Sequence, residues 1–130
     1  MIRALVIADS SPTRTSITGA LCAISEVDIV AHASGAAPVG TLVRTIRPDV
    51  VFVDELRWVG EAVARVREVR AAHPEAVVVG LVERPDAGWI VEGLRAGATA
   101  VVPRDLDPTT LALVLDEALH DSRVNERHAA

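Results

Sequence analysis

The sequence predicts an α/β fold: a doubly wound, five-stranded parallel sheet built as (βα)5, with helices on both faces. Three observations lead there. Five short apolar runs recur along the 130 residues, and each is followed by a stretch with helical spacing. The runs are continuous in Val, Ile, Leu and Ala rather than alternating, as expected of strands covered on both faces. The first and third runs end in an acid, Asp9 and Asp54. The crevice beyond the carboxyl ends of such strands is where open parallel sheets bind ligands and do chemistry.

The first run is Ile2–Ala8. Ser10 or Ser11 can cap the helix that follows, with Pro12 in its first turn. Ile17, Ala20, Leu21 and Ile24 give that helix an apolar face, and Cys22 reads as a small core residue within it. The second strand, Asp28–Ala33, leaves through Ser34-Gly35-Ala36. Val39, Leu42, Val43 and Ile46 mark a second helix that Pro48 ends. Arg47-Pro48-Asp49 introduces the third strand, Val50–Val53, with Asp54 at its lip. A third helix runs from about Gly60 to Ala72, with Val59, Val63, Val66 and Val69 inward, Arg65, Arg67 and Glu68 outward, and His73-Pro74 closing it.

The fourth strand, Ala76–Val82, is nearly all Val and belongs in the sheet interior. Arg84-Pro85-Asp86 leads into a fourth helix carrying Ile90, Val91 and Leu94, which Gly97 ends in a left-handed cap. The fifth strand is Thr99–Val102. Asp107-Pro108 opens a last helix with the stripe Leu111, Val114, Leu115, Ala118 and Leu119. The segment after His120 is polar and expected to fray. Residues 1–121 therefore make one domain, and 122–130 a polar tail or the start of a linker. Right-handed crossovers join the parallel strands.

Composition narrows the function. One domain of this length can bury a single sizeable core. A net charge of −5 argues against direct nucleic-acid binding, which needs a basic face. One cysteine excludes an internal disulfide and fits a reducing compartment. No apolar stretch approaches the roughly 18–20 residues of a membrane span. Met1-Ile2-Arg3 does not open a signal peptide, so the expectation is a soluble, cytoplasmic protein without membrane contact. His32, His73, His120 and His128 are scattered and give no metal-ligand spacing. With no nucleophile–base–orienter set and no Gly-rich nucleotide loop, an enzyme acting on an external metabolite is not expected.

The ordered motifs Arg47-Pro48-Asp49-Val50-Val51, Ala72-His73-Pro74 and Leu94-Arg95-Ala96-Gly97-Ala98 carry a resemblance. From Met1 to about Leu119 the chain resembles a response-regulator receiver domain of the NarL/LuxR type, with a flavodoxin-like fold. The resemblance implies a two-component or phosphorelay role in which Asp54 accepts a phosphoryl group from a sensor histidine kinase. It implies Mg²⁺ held by Asp9, Asp54 and the backbone carbonyl of Leu56, with Arg104 as the phosphate-side cation where the family places Lys. It also implies homodimerisation through the fourth and fifth or the first and fifth helices. The setting is either the regulatory part of a LuxR-type transcriptional regulator or a single-domain regulator.

The departures are as informative as the matches. Ala8 stands where the family has the first of two acids; losing an acid that orders a metal-bound water costs about 10–100-fold in metal affinity. Val82 replaces the hydroxyl residue after strand four, Val101 the aromatic of strand five, and Trp58 a frequent Pro. The expectation is an atypical receiver whose output depends weakly or not at all on phosphorylation. A second reading is a flavodoxin-like cofactor binder, with Ser10-Ser11-Pro12-Thr13-Arg14-Thr15 as a phosphate loop at a helix N-terminus and Trp58 or Trp89 stacked on a flavin. That loop lacks a glycine, and Asp9 would repel a phosphate.

Overall fold

A computed structural model of the chain describes residues 1–24, 26–84 and 87–129. Its elements alternate as β1 (Ile2–Ile7), α1 (Ser11–Cys22), β2 (Val27–Ala33), α2 (Val39–Ile46), β3 (Val50–Val53), α3 (Val59–Ala72), β4 (Val77–Val82), α4 (Ala87–Ala96), β5 (Ala100–Pro103) and α5 (Pro108–Ala129). The five strands form one parallel sheet in the order β2-β1-β3-β4-β5. After β2 the chain returns past β1 to lay down β3, so strand order reverses between β1 and β3. A crevice opens at such a switch point, and Asp9 and Asp54 follow the two strands that flank it.

The pleat divides the core in two. Ala4, Val6, Ala8, Phe52, Val77 and Val79 face α1 and α5, where Ile17, Leu21, Leu111 and Leu115 meet them. Leu5, Ile7, Val51, Val53, Val78 and Val82 face α2, α3 and α4 through Val39, Val43, Val66, Val69 and Trp89. Every residue of β3 and β4 is buried, which explains their unbroken apolar runs. Each such side chain contributes about 1.5–3 kcal/mol relative to exposure. The ends of the helices carry their expected chemistry. Ser10 Oγ accepts from the Thr13 amide at 3.1 Å and Asp107 Oδ1 from that of Thr110 at 3.0 Å. Arg47 (φ 50°) ends α2 in the left-handed region before Pro48, and Gly97 (φ 114°) follows α4 there.

Four expectations are corrected. Cys22 is exposed, because it closes α1 on the side away from Ile17 and Leu21. Arg65 is half-buried rather than outward, its guanidinium 3.1 Å from Glu68. In α4 the buried face is Trp89 and Gly93, while Val91 and Leu94 are 43% and 46% exposed. The indole has more area to bury than either aliphatic, and glycine lets it lie against the helix. The polar segment after His120, expected to fray, is helical to Ala129. Pro85 and Asp86, expected to lead into α4, lie outside the described residues. Among those described, no helix is long and apolar enough to cross a membrane.

The edge of the sheet opposite the acids is tied by one side chain. Arg70, in the last turn of α3, donates from Nε and Nη2 to the Gly97 carbonyl at 3.1 and 2.7 Å. Its Nη1 donates to the carbonyls of Pro74 and Ala76, both at 2.6 Å. The planar fork thus spans α3, the approach to β4 and the turn after α4.

Candidate functional site

Asp54 is set by β3. The register places Val53 beside Ile7, and the Asp54 amide continues the ladder by donating to the Ile7 carbonyl at 3.0 Å. The carboxylate is therefore fixed at the crevice floor and only 5% exposed. Arg104, the first residue after β5, is fixed likewise: its amide donates to the Val82 carbonyl at 2.7 Å. Its guanidinium reaches across, Nε and Nη2 donating to Asp54 Oδ1 at 3.0 and 2.7 Å. Glu83 is a looser second partner at 3.7 Å. Burial pushes the Asp54 pKa up; the hydrogen bond and charge of Arg104 pull it down but do not win.

Asp9 stands one residue beyond Ala8, whose amide is held by the Ala33 carbonyl at 2.9 Å. Asp9 Oδ1 accepts from the Gly35 amide at 2.7 Å, whereas Oδ2 is buried and has no hydrogen-bond partner. A third carboxylate enters from the first turn of α3. Glu61 is 8% exposed; its Oε2 accepts from Arg57 at 2.8 Å, and its Oε1 is buried without a partner. Arg57 also lies over the ring of Trp58, 5.0 Å from its centroid, and Trp58 itself is 59% exposed. Leu56, between the two, has φ 61°, a left-handed turn that carries the chain from β3 towards α3.

These residues fit a hard divalent cation on the Asp9 side. A free, buried carboxylate oxygen is the donor such an ion takes. Asp54 is less ready, since Oδ1 already holds Arg104. Among the described residues, no group of three His, Cys, Asp or Glu converges as a metal cluster.

No protein-family model matches the chain. It is similar in structure to a CheY-like response regulator receiver domain from Methanospirillum hungatei JF-1, with a TM-score of 0.80 at 16% identity over 96% of this chain and 98% of that one. A LuxR-family two-component response regulator from Aurantimonas sp. SI85-9A1 superposes with a TM-score of 0.77 at 21% identity, covering 93% of this chain and 86% of that one. The signal receiver domain of a NarL response regulator from Mycobacterium tuberculosis gives 0.70 at 26% identity over 90% and 95%. The chain has the receiver fold. Among curated relatives, it is 30% identical over 109 residues to a protein-glutamate methylesterase/protein-glutamine glutaminase of Anaeromyxobacter dehalogenans, covering 83% of this chain and 32% of that protein. It is 23% identical over 111 residues to the transcriptional regulatory protein LnrK of Bacillus subtilis, covering 85% and 50%. The chain thus spans a third to a half of the curated relatives it matches.

Within this receiver fold, the positions that differ from the family pattern are packed. Ala8 is fully buried in the α1–α5 core and Val82 is buried against the other face. Val101 lies partly buried beside Trp89, and the ring that fills this part of the sheet comes from α4 instead of β5. The Trp89 indole N–H donates to the Leu81 carbonyl at 3.0 Å. A Cβ on Gly80 or Gly93 would lie 2.9 or 2.8 Å from that indole, so both glycines make room for it. The loop weighed as a phosphate cradle uses its Ser10 hydroxyl on the α1 cap. Sequence reasoning missed Glu61 altogether. An acid in the first turn of a helix is ordinarily explained by the helix dipole, and only its burial distinguishes this one.

Proposed function

We infer that the chain is the receiver domain of a two-component or phosphorelay system and that Asp54 is its phosphoacceptor. The observation that carries this reading is a buried carboxylate at the β3 lip, held by a cation from the end of β5 and flanked by Asp9. An Asp54 oxygen attacks the phosphorus of a kinase phosphohistidine, the P–N bond breaks, and an acyl phosphate forms. Phosphoryl transfer needs charge neutralisation more than covalent help from the protein. Mg²⁺, which receiver domains generally use at this site, supplies part of it when bound; Asp9 and the Leu56 carbonyl are its proposed ligands. Arg104 supplies the rest by moving from Oδ1 to a phosphoryl oxygen.

The proposed output is association into a homodimer, as the regulatory part of a LuxR-type regulator or as a single-domain regulator in the cytoplasm. Its dependence on phosphate is weak or absent. Val82 has no hydroxyl for a phosphoryl oxygen and Val101 no ring to move, while Trp89 already fills the adjoining space. The test is to add a small phosphodonor with Mg²⁺, then measure intact mass and oligomeric state. The expected result is one added phosphoryl group, absent in Asp54→Asn, with no change in oligomeric state. Stoichiometric labelling accompanied by a shift in oligomeric state sinks the phosphate-independent output; no labelling at all sinks the phosphoacceptor.

A further inference from the structure

We propose that Asp9 and Glu61 together form a divalent-cation site, in which Glu61, on α3, supplies the second acid that Ala8 lacks. Three features of the chain converge on it. Two buried carboxylate oxygens, Asp9 Oδ2 and Glu61 Oε1, have no hydrogen-bond partner. Leaving such groups unpaired costs about 1–3 kcal/mol each and more when charged, so their burial calls for a cation. The two carboxylates are also neighbours. The point a Cβ on Gly35 would occupy lies 2.5 Å from Glu61 Oε1 and 3.2 Å from Asp9 Oδ1. Gly35 thus adds no side chain of its own between them, where the Leu56 Cδ1 methyl comes within 2.8 Å of the same point, while its amide fixes Asp9.

The third feature is how little positive charge the protein places there. Arg57 hydrogen-bonds only Glu61 Oε2, is itself 61% exposed and acts on Asp9 through charge alone, and Arg104 is committed to Asp54. Two carboxylates with retained waters suit Mg²⁺ or Mn²⁺, which need no closed cage of protein ligands. Asp9 is pre-oriented by the Gly35 amide at the end of β1, and Glu61 enters from the first turn of α3 with Arg57 as a competing, exposed cation on its other oxygen. The role given to this ion rests on the reading of Asp54 as phosphoacceptor; the binding itself does not.

The experiment titrates the whole chain with Mn²⁺, followed by electron paramagnetic resonance, and with MgCl₂ by calorimetry, in the absence of any phosphodonor. One ion is expected to bind the wild type. Glu61→Gln and Asp9→Asn should each weaken it about 10–100-fold. Gly35→Ala should weaken it too, because the new methyl group meets Glu61 Oε1. Arg57→Ala removes the competing cation and should tighten binding, which keeps the proposal testable even where Glu61→Gln fails to fold. Wild-type affinity in Glu61→Gln, no response to Arg57→Ala, or no bound ion overturns the site. A chain that binds Mn²⁺ through Glu61 but takes no phosphate at Asp54 upholds the site and rejects the phosphoacceptor instead.

Discussion

Asp54 is held where its own charge is costly. Burial raises its pKa above 3.8 despite Arg104, so the folded chain binds more protons than the unfolded one between 3.8 and the raised value. The cost of ionisation is fully present above the folded pKa and is relieved as pH falls through it towards 3.8. Comparison with Asp54→Asn isolates this contribution, because Asn does not titrate. The denaturation midpoint of the wild type should rise relative to Asp54→Asn as pH is lowered from neutral towards that value. The opposite trend means that Arg104 outweighs burial. At this scale the sequence was readable where strand geometry dictates position: an acid directly after a buried strand must sit at its lip. It was unreadable for Glu61, whose environment is made by Gly35 and Asp9 arriving from other parts of the chain.

Among the elements, α4 departs furthest from its sequence pattern. Its aliphatic residues Val91 and Leu94 suggest one face, but the helix turns Trp89 and Gly93 inward. Periodicity weighs residues by hydrophobicity, whereas packing weighs them by shape, and only the glycines at 80 and 93 leave room for an indole. Trp89→Ala should cost about 3–5 kcal/mol in denaturant unfolding, as large-to-small core changes do. Gly93→Ala sets two effects against each other. Helix propensity favours alanine by about 1 kcal/mol, while overpacking costs about 1–3 kcal/mol. With the new Cβ 2.8 Å from a ring hemmed in by β4 and β5, the clash should win and the variant should melt lower. A more stable Gly93→Ala means that the indole can shift. Strands β3 and β4, by contrast, matched their apolar runs because burial on both faces leaves no choice of side.

Across the whole molecule, the topology follows from the alternation of apolar runs and helical stretches, and the order β2-β1-β3-β4-β5 puts both strand-end acids at the reversal. The stitch at the other end of the sheet was not foreseeable, since Arg70 reads as one more surface arginine. It closes the far ends of α3, β4 and α4 with charge-assisted bonds to three carbonyls. Arg70→Ala should therefore lower stability by about 2–3 kcal/mol, and Arg70→Lys should recover less than half of that for want of the fork, as read by urea unfolding. A loss within about 0.5 kcal/mol, the range of ordinary surface substitutions, shows the stitch to be redundant. The two tryptophans have a consequence of another kind. The chain has no tyrosine, so its ultraviolet emission comes from Trp58, in water beside the acids, and Trp89, dry between α4 and the sheet. Their spectra separate by polarity, and acrylamide silences the first before the second. One unlabelled sample can thus report, in two colours, whether an event at the crevice is felt at α4.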